Sequence, residues 1–523
     1  MVASFDQTHD HGPRPWLVLL LCALYAFAGL TGHDPWKSDD AIQLGIAHGF
    51  FSGGNWLVPT LAGETVVEAE PLYPWLAAAT ASATRSLLPF HAGARLASAL
   101  FAAGFLFALG AAARRLIGHD EGWGTPLLAI GTLGLLVPIH EAQPASAILA
   151  ACAIAYWGTS LASKQPIRGG ATLGLGIGAA LLAGGLLAAL PLAVLLLPIA
   201  AGGWVSMLIA LGVAAMLGSA WLIGLHMVSP ALLQQWWIAQ TAALSCHGGF
   251  SVQHLELLAW FGWPVLYIAL WALWSSRRHL LTPAIKIPLV GLLAGLLWFL
   301  LHEARASTLL PAVVPMVLLA ASGGPRLRRG AANAWDWFSM MTMSIIVGLV
   351  WLGAAGLYLN WPVRLARNIQ RLTPGFAGEL WLPGLLIACA LSFLWLAMLF
   401  NLPRSPWRVV SRWAAGVTVV WASLAALWLP WIDYSKTFRP VVASLREALP
   451  ANIDCLGRLD FGLGQRAALD YFGGLRTRAE TGQCHWLINQ MQSAEAADPP
   501  GWTRTWEGRR PGDRSEIWRL YRR

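Results

Sequence analysis

The chain has 523 residues, of which 57% are hydrophobic and only 12% are charged. This composition excludes a soluble globular protein, because runs such as 171–203 and 336–359 exceed the roughly 20 apolar residues that cross a bilayer. The net charge of +9 does not indicate nucleic-acid binding, since the basic residues lie in short gaps between apolar runs.

The first apolar run, 16–32, has the length of a signal-peptide core, but no A-x-A-like cleavage site follows it. We therefore expect a retained first helix. Placing the basic gaps in the cytoplasm leaves other loops on the opposite face, namely 33–91, 140–145, 226–255, 302–306 and 360–379. The alternation predicts about 13 crossings, if 171–225 contains three of them, with a cytoplasmic N-terminus and an outside C-terminal segment.

The outside loop 33–91 opens with an acidic pair, Asp39 and Asp40. Ile42, Ile46 and Phe50 follow at the spacing of an amphipathic helix. Ser38 or Asp39 suits the N-cap of this helix, and an acid at position 40 is favoured by the helix dipole. On spacing alone the helix start is the favoured interpretation of the two acids, and a catalytic role is the alternative.

The same loop contains a second amphipathic stretch, which begins after Glu68 and Glu70. Pro71 suits the first position of a helix that carries Trp75 and Leu76 along the bilayer surface. Carboxylates at a partly dry interface can serve as general bases, because desolvation raises the pKa of an acid. The alternative is that they are solvated loop charges.

The order of motifs in this loop resembles that of GT-C glycosyltransferases. "DDAIQL" is followed by "GNWLVPTLAG" and then by "VVEAEPLYPWL". Bacterial lipid A aminoarabinose transferases, and their relatives among the protein O-mannosyltransferases, have a first periplasmic loop with D-E, G-D-W-I-V-P and E-K-P-P-L-Y in the same order. The resemblance implies an inverting transferase that uses a polyprenyl-phosphate sugar.

The resemblance also assigns roles to individual residues. It implies that Asp39 is the catalytic base, with Asp40 in place of the family's Glu. Glu68 matches the Glu of E-K-P-P-L, and Glu70 and Tyr73 lie in the same segment, so these three are expected to bind substrate.

The chain departs from the family pattern at three further places. Ala69 replaces the Lys that is expected to meet donor phosphate, and Gln143 stands nearest the place of a second Asp. His140 and Glu141 beside it are candidates for compensation, and an ordinary polar loop is the alternative. The Lys-Gly of the family's fifth helix region is also missing from "LLAGGLL", 181–187.

Arginines on the outside face are the candidates for phosphate binding, because guanidinium groups form charge-assisted contacts with phosphate. Arg305 lies in a short loop where relatives carry a basic residue, although pairing with Glu303 is an alternative. Arg364, Arg367 and Arg371 share one face of a basic amphipathic helix, which suits a lipid phosphate or a generic headgroup anchor.

The C-terminal part, 433–523, reads as a small α/β domain, with helical spacing in "VVASLREAL" and short strands in "CHWLINQ" and "EIWRLYRR". Cys455 and Cys484 both lie in it. If the outside is the periplasm, a disulfide between them is as consistent with the sequence as two free thiols.

The expected fold is therefore an all-α polytopic membrane protein of the GT-C type, with a transmembrane catalytic domain over 1–432 and a periplasmic α/β domain over 433–523. The expected reaction moves a sugar from undecaprenyl phosphate to lipid A, a surface glycan or a protein, at the outer face of a bacterial inner membrane. It requires no cofactor, the sequence contains no metal motif, and a divalent-metal requirement stays open.

Two other functions remain open at this stage. A transporter or flippase of lipid-linked sugars would need ionisable residues at the membrane midplane, and the spans are nearly free of them. An inactive scaffold with a retained GT-C fold would explain Ala69 and Gln143.

Overall fold

A computed structural model of the chain describes residues 12–200, 203–245, 249–323, 327–402, 405–479, 484–493, 497–513 and 516–523. It is mostly helical. The N-terminal helices are α1 Pro15–Phe27, α2 Ser38–Phe51, α3 Leu72–Thr84, α4 Phe90–Leu116, α5 His119–Ile130, α6 Leu136–His140 and α7 Ala145–Ala162. A short hairpin, β1 Thr60–Leu61 and β2 Glu64–Thr65, lies between α2 and α3.

The following helices complete the helical part. They are α8 Pro166–Ala189, α9 Leu196–Ala200, α10 Trp204–Val228, α11 Pro230–Leu244, α12 Val252–Phe261, α13 Val265–Ser275, α14 Pro283–Leu301, α15 Ala306–Gly323, α16 Arg329–Tyr358, α17 Val363–Leu372, α18 Leu382–Asn401 and α19 Arg408–Lys436. The expected all-α polytopic architecture is confirmed.

Nine helices in the described part of the chain are long and apolar enough to cross a membrane, or up to eleven if each of two bent helix pairs is one span. The first helix, Pro15–Phe27, is shorter and is not among them. The region that was expected to hold three crossings contributes two candidate spans, Pro166–Ala200 and Trp204–Val228. The number of about 13 crossings therefore stays a prediction.

The most buried helices, α7 and α15, form the centre of the helical part. Small residues allow close approach there, as in other membrane helix pairs. A Cβ at Gly158 of α7 would lie 2.2 Å from the backbone nitrogen of Leu173 in α8, so only glycine permits this contact. This packing fixes α8 against α7, and the candidate site lies beside both.

The two helices predicted within residues 33–91 form, with small differences at their ends. α2 begins at Ser38, but its N-cap is Lys37 and no side chain caps it, so the expected Ser38 or Asp39 cap is wrong. α3 begins at Leu72, and Pro71 is its N-cap rather than its first residue. Ile46 and Phe50 are buried, as the amphipathic spacing predicts.

The C-terminal part contains α20 Arg439–Ala448, α21 Leu463–Gly473 and five strands, β3 Leu456–Arg458, β4 Thr477–Arg478, β5 Trp486–Met491, β6 Thr503–Gly508 and β7 Ile517–Arg522. The sheet order is β4-β3-β5-β7-β6. β3 pairs in parallel with β4 and β5, and the remaining pairs are antiparallel. The predicted helix and both predicted strands are confirmed. A domain boundary at 432/433 remains a prediction, and α19 runs through that position.

Cys455 and Cys484 are joined by a disulfide, with their Cα atoms 5.2 Å apart. Cys455 immediately precedes β3, and Cys484 lies two residues before β5. Because β3 and β5 are neighbouring parallel strands, their starting residues lie side by side.

The C-terminal part docks on residues 33–91 through partly buried ion pairs. Asp34 accepts two hydrogen bonds from Arg439, at 2.6 and 3.0 Å, and one from the Thr437 hydroxyl at 2.7 Å. Burial raises the pKa of the Asp34 carboxyl, but these hydrogen bonds outweigh burial and hold that pKa below its usual value. Glu64 of the hairpin pairs in addition with Arg458 and Arg466.

We expect Asp34→Asn to loosen this junction, because the change removes the negative charge that anchors Arg439 and Thr437. Limited trypsin digestion should then cleave after Lys436 several-fold faster than in the wild type, whereas the Arg439–Pro440 bond is resistant to trypsin. Glu303→Gln is the matched control, since it removes a carboxylate that also pairs with an arginine but is itself exposed, whereas Asp34 is buried. Equal cleavage rates in the wild type and Asp34→Asn would contradict the anchoring role.

Candidate active site

A cavity of about 580 Å³ lies between α2, the segment before α3, α7, α8 and α11. Its polar lining consists of carboxylate, amide and hydroxyl side chains, and its walls are otherwise apolar. The polar residues are Asp39, Gln43, Glu68, Glu70, Gln143, Gln240 and Ser307. This volume is within the range of small-molecule sites.

Asp39 is the exposed member of the acidic pair and lines the cavity. It lies in the first turn of α2, where the helix dipole stabilises a negative charge. Glu68 is also exposed and lines the same cavity. Two of the sequence-predicted acids are thus accessible to a ligand from one space.

Asp40 has a different environment, since it is only 2% exposed and is not among the residues that line the cavity. Its carboxylate accepts hydrogen bonds from Arg95 at 2.6 and 3.1 Å and from the backbone N–H of Ala142 at 2.9 Å. Burial raises the pKa of Asp40, but the Arg95 charge and these bonds leave that pKa below its usual value. Asp40 therefore joins α2 to α4 and to the segment before α7, and its predicted direct catalytic role gains no support from this position.

Glu141 forms an ion pair with Lys37, the residue that caps α2. Gln143 donates a hydrogen bond of 3.3 Å to the same carboxylate and also lines the cavity. Burial raises the pKa of Glu141, and the Lys37 contact acts in the opposite direction. Gln143 thus borders the cavity, and the Lys37–Glu141 ion pair joins residues that lie two positions before the lining residues Asp39 and Gln143.

Tyr73 and His140 are buried behind the cavity instead of lining it. The Tyr73 hydroxyl lies 2.7 Å from Ser98 Oγ, which donates to the Glu141 carbonyl at 2.7 Å. The His140 ring contacts the carbonyls of Leu136 and Tyr25. Both side chains support the site's framework, and a direct substrate contact by either remains only a sequence prediction.

The arginines predicted to bind phosphate do not line the cavity. Arg305 is exposed and pairs with Glu303 at 2.5 Å, but it immediately precedes Ala306 and Ser307, which are lining residues. Arg364, Arg367 and Arg371 lie on exposed positions of α17, whose Ala366 and Ile369 are buried. Arg305 therefore lies next to the lining residue Ala306, at an edge of the cavity that we call its rim. The α17 arginines lie on a separate helix that contributes no lining residue among those described.

Three residues that sequence reasoning missed complete the site, namely Lys37, Arg95 and Gln240. Arg95 had a signal, because a single arginine within an apolar helix needs a partner. Lys37 lies in the same "KSDD" stretch as the acids. Gln240 had no signal in the sequence. Among the described residues, no group of three or more His, Cys, Asp or Glu side chains is arranged to hold a metal ion.

Comparison with known proteins agrees with this architecture. No protein-family model matches the chain. An undecaprenyl phosphate-alpha-4-amino-4-deoxy-L-arabinose arabinosyl transferase of Shewanella sediminis (strain HAW-EB3) is 24% identical over 363 residues, which cover 63% of this chain. The match spans 65% of that relative, slightly less than two thirds of its length.

The crystal structure of ArnT from Cupriavidus metallidurans bound to undecaprenyl phosphate superimposes with a TM-score of 0.70, at 15% identity and with 97% of each chain covered. Its apo state gives a TM-score of 0.67 at the same identity and coverage. The chain has the ArnT fold. The expected resemblance to aminoarabinose transferases is thereby confirmed, as is the expected fold of the helical part.

Proposed function

We propose that this chain is an inverting glycosyltransferase that uses a polyprenyl-phosphate sugar, with undecaprenyl phosphate as the carrier. One observation carries the proposal: within the ArnT fold, an accessible carboxylate, Asp39, lines a cavity of ligand size beside a second one, Glu68. The relative's name specifies aminoarabinose for that protein. For this chain we propose transfer of a sugar, without specifying which one, to an acceptor that is lipid A, a surface glycan or a protein.

The proposed chemistry is a single displacement at the anomeric carbon. Asp39 takes the proton of an acceptor hydroxyl or phosphate, whose oxygen forms a bond to the anomeric carbon as the bond to the polyprenyl-phosphate oxygen breaks. Polyprenyl phosphate leaves with both electrons of that bond. Arg305 at the rim stabilises the leaving phosphate, and Lys37 holds the segment that carries Gln143.

The proposed location is a bacterial inner membrane, with the cavity and the C-terminal part on the periplasmic side and the N-terminus in the cytoplasm. The distribution of basic residues supports this orientation. Arg114 and Arg115 end α4, and Arg408 and Arg412 begin α19, at the face that the positive-inside rule assigns to the cytoplasm. A disulfide between Cys455 and Cys484 suits an oxidising compartment.

The function is tested by deleting the gene in its own host and comparing parent and deletion strains by mass spectrometry of lipid A, surface glycans and undecaprenyl-linked sugars. We expect one sugar-sized mass to disappear from an envelope molecule, while the corresponding undecaprenyl-linked sugar accumulates. If the protein were a flippase, its deletion would instead leave the lipid-linked sugar on the cytoplasmic face, where a periplasm-restricted glycosidase cannot reach it. Unchanged masses in all three pools would contradict the proposal.

A further inference from the structure

The wall of the cavity contributed by α8 is interrupted where the sequence reads "LLAGGLL". Gly184 and Gly185 have non-helical backbone angles, and Gly185 has a φ of +62°. A Cβ at Gly185 would lie 2.2 Å from Gln240 Oε1 and 2.6 Å from Glu70 Oε1, so a side chain there would displace both groups, and the positive φ favours glycine in addition. The break therefore lets two polar side chains approach the helix backbone directly.

Gln240 occupies this break and is 6% exposed. Its Oε1 accepts a hydrogen bond of 2.8 Å from the Leu186 N–H, and its Nε2 donates one of 2.9 Å to Glu70 Oε1. The backbone N–H can only donate, so this contact fixes which way the amide points. Glu70, Gln240 and the broken helix form one hydrogen-bonded unit that lines the cavity.

This unit retains hydrogen-bonding capacity toward the cavity. An amide nitrogen has two N–H groups and Gln240 uses one on Glu70, whereas a carboxyl group has acceptor sites beyond the one that Gln240 occupies. Burial, reinforced by the nearby Glu68 charge, raises the pKa of Glu70 to about 7 against the effect of the Gln240 bond. Near neutral pH the Glu70 carboxyl thus occurs in both protonation states.

The charge of the lining restricts what this end of the cavity can bind. Among the described residues, the lining includes Asp39, Glu68 and Glu70 but neither Lys nor Arg. A phosphate group is repelled there, whereas hydroxyl or ammonium groups find acceptors. Arg305 lies at the rim, where a donor phosphate can reach a cation.

We propose that Glu70 and Gln240 form the subsite that recognises the transferred sugar through a hydrogen-bond donor on its ring, either a hydroxyl or an amino group. The proposal rests on the proposed function and adds specificity-determining residues to it. Ala69, which lies directly before Glu70, provides no charge, so the subsite's selectivity depends on the Glu70–Gln240 pair.

The test measures the affinity of purified full-length protein in detergent for three probes: undecaprenyl phosphate alone, undecaprenyl phosphate-linked glucose and undecaprenyl phosphate-linked 4-amino-4-deoxyarabinose. In the wild type, at least one sugar-linked probe should bind tenfold or more tightly than the bare lipid phosphate. Glu70→Gln and Gln240→Leu should both remove this sugar-dependent gain and leave the affinity for bare undecaprenyl phosphate within about twofold. Glu379→Gln, an exposed carboxylate outside the cavity lining, is the matched control and should retain the gain.

The outcomes separate the subsite from the function. Loss of the gain for the amino sugar identifies an ammonium partner, and loss of the gain for glucose identifies a hydroxyl partner. A gain that persists in both variants overturns the subsite, as does an equal loss of affinity for all three probes. A wild-type protein that binds none of the probes contradicts the proposed function itself.

Discussion

Arg95→Met is expected to lower the free energy of unfolding by about 3–5 kcal/mol, because removing one partner of a buried ion pair leaves an uncompensated buried charge. Arg95 is fully buried and donates two hydrogen bonds to Asp40 and one, of 2.7 Å, to the carbonyl of His33. Thermal unfolding of the purified protein in detergent measures the loss as a lower Tm.

Two comparisons identify the ion pair as the cause. The double variant Asp40→Asn/Arg95→Met removes both charges, so its loss should be smaller than the sum of the two single losses. Arg115→Met, on the exposed last turn of the same helix, should stay within about 0.5 kcal/mol of the wild type. Strictly additive losses, or an Arg95→Met protein with the wild-type Tm, would contradict the claim that Asp40 and Arg95 stabilise the fold as a buried ion pair.

Asp39→Asn is expected to slow sugar transfer by about 10²–10⁴-fold, the usual contribution of a positioned general base. An amide cannot accept the acceptor's proton, while its size and its capacity to accept hydrogen bonds from neutral donors remain. Asp39 is exposed, so the change should leave Tm close to that of the wild type. Initial rates with the donor and acceptor found in the deletion strain measure the effect.

The affinity for bare undecaprenyl phosphate separates loss of the base from loss of binding. It should be unchanged in Asp39→Asn, because the phosphate is expected at the Arg305 rim and not at the α2 end. If the affinity of Asp39→Asn for undecaprenyl phosphate falls by the same factor as its transfer rate, Asp39 contributes to binding and is not the base. An inactive scaffold predicts no change in either quantity.

Local patterns in the sequence predicted much of the first outside loop and of the C-terminal part. The apolar spacing of Ile46 and Phe50 identified α2, and the stretches "CHWLINQ" and "EIWRLYRR", predicted as short strands, contain β5 and β7. Such patterns suffice where one face of an element is buried against a neighbour. The expected α2 cap was wrong because the helix begins one residue earlier, at Ser38, and the carbonyl of Lys37 accepts the hydrogen bond of the Ala41 N–H.

The different roles of the two acids could not be predicted from their order in the sequence. Asp39 and Asp40 are adjacent, yet one is exposed to the cavity and the other is buried, because successive helix positions point about 100° apart. Gln240 was missed for a related reason: its importance depends on the Gly184–Gly185 break, 55 residues earlier, which the sequence shows only as two glycines. Arg364, Arg367 and Arg371 share a face as predicted, but helical spacing does not locate a helix relative to a cavity.

The central claim is that Asp39 is the base of a sugar transfer at the outer membrane face, and complementation of the deletion strain tests it most directly. Strains that carry the wild type or Asp39→Asn at equal protein levels are compared by mass spectrometry of lipid A, surface glycans and undecaprenyl-linked sugars. We predict that the wild type restores the missing sugar mass. Asp39→Asn should not restore it, and the lipid-linked sugar should remain accumulated in that strain. Full restoration by Asp39→Asn would contradict the claim and leave the acidic pair as the start of a helix.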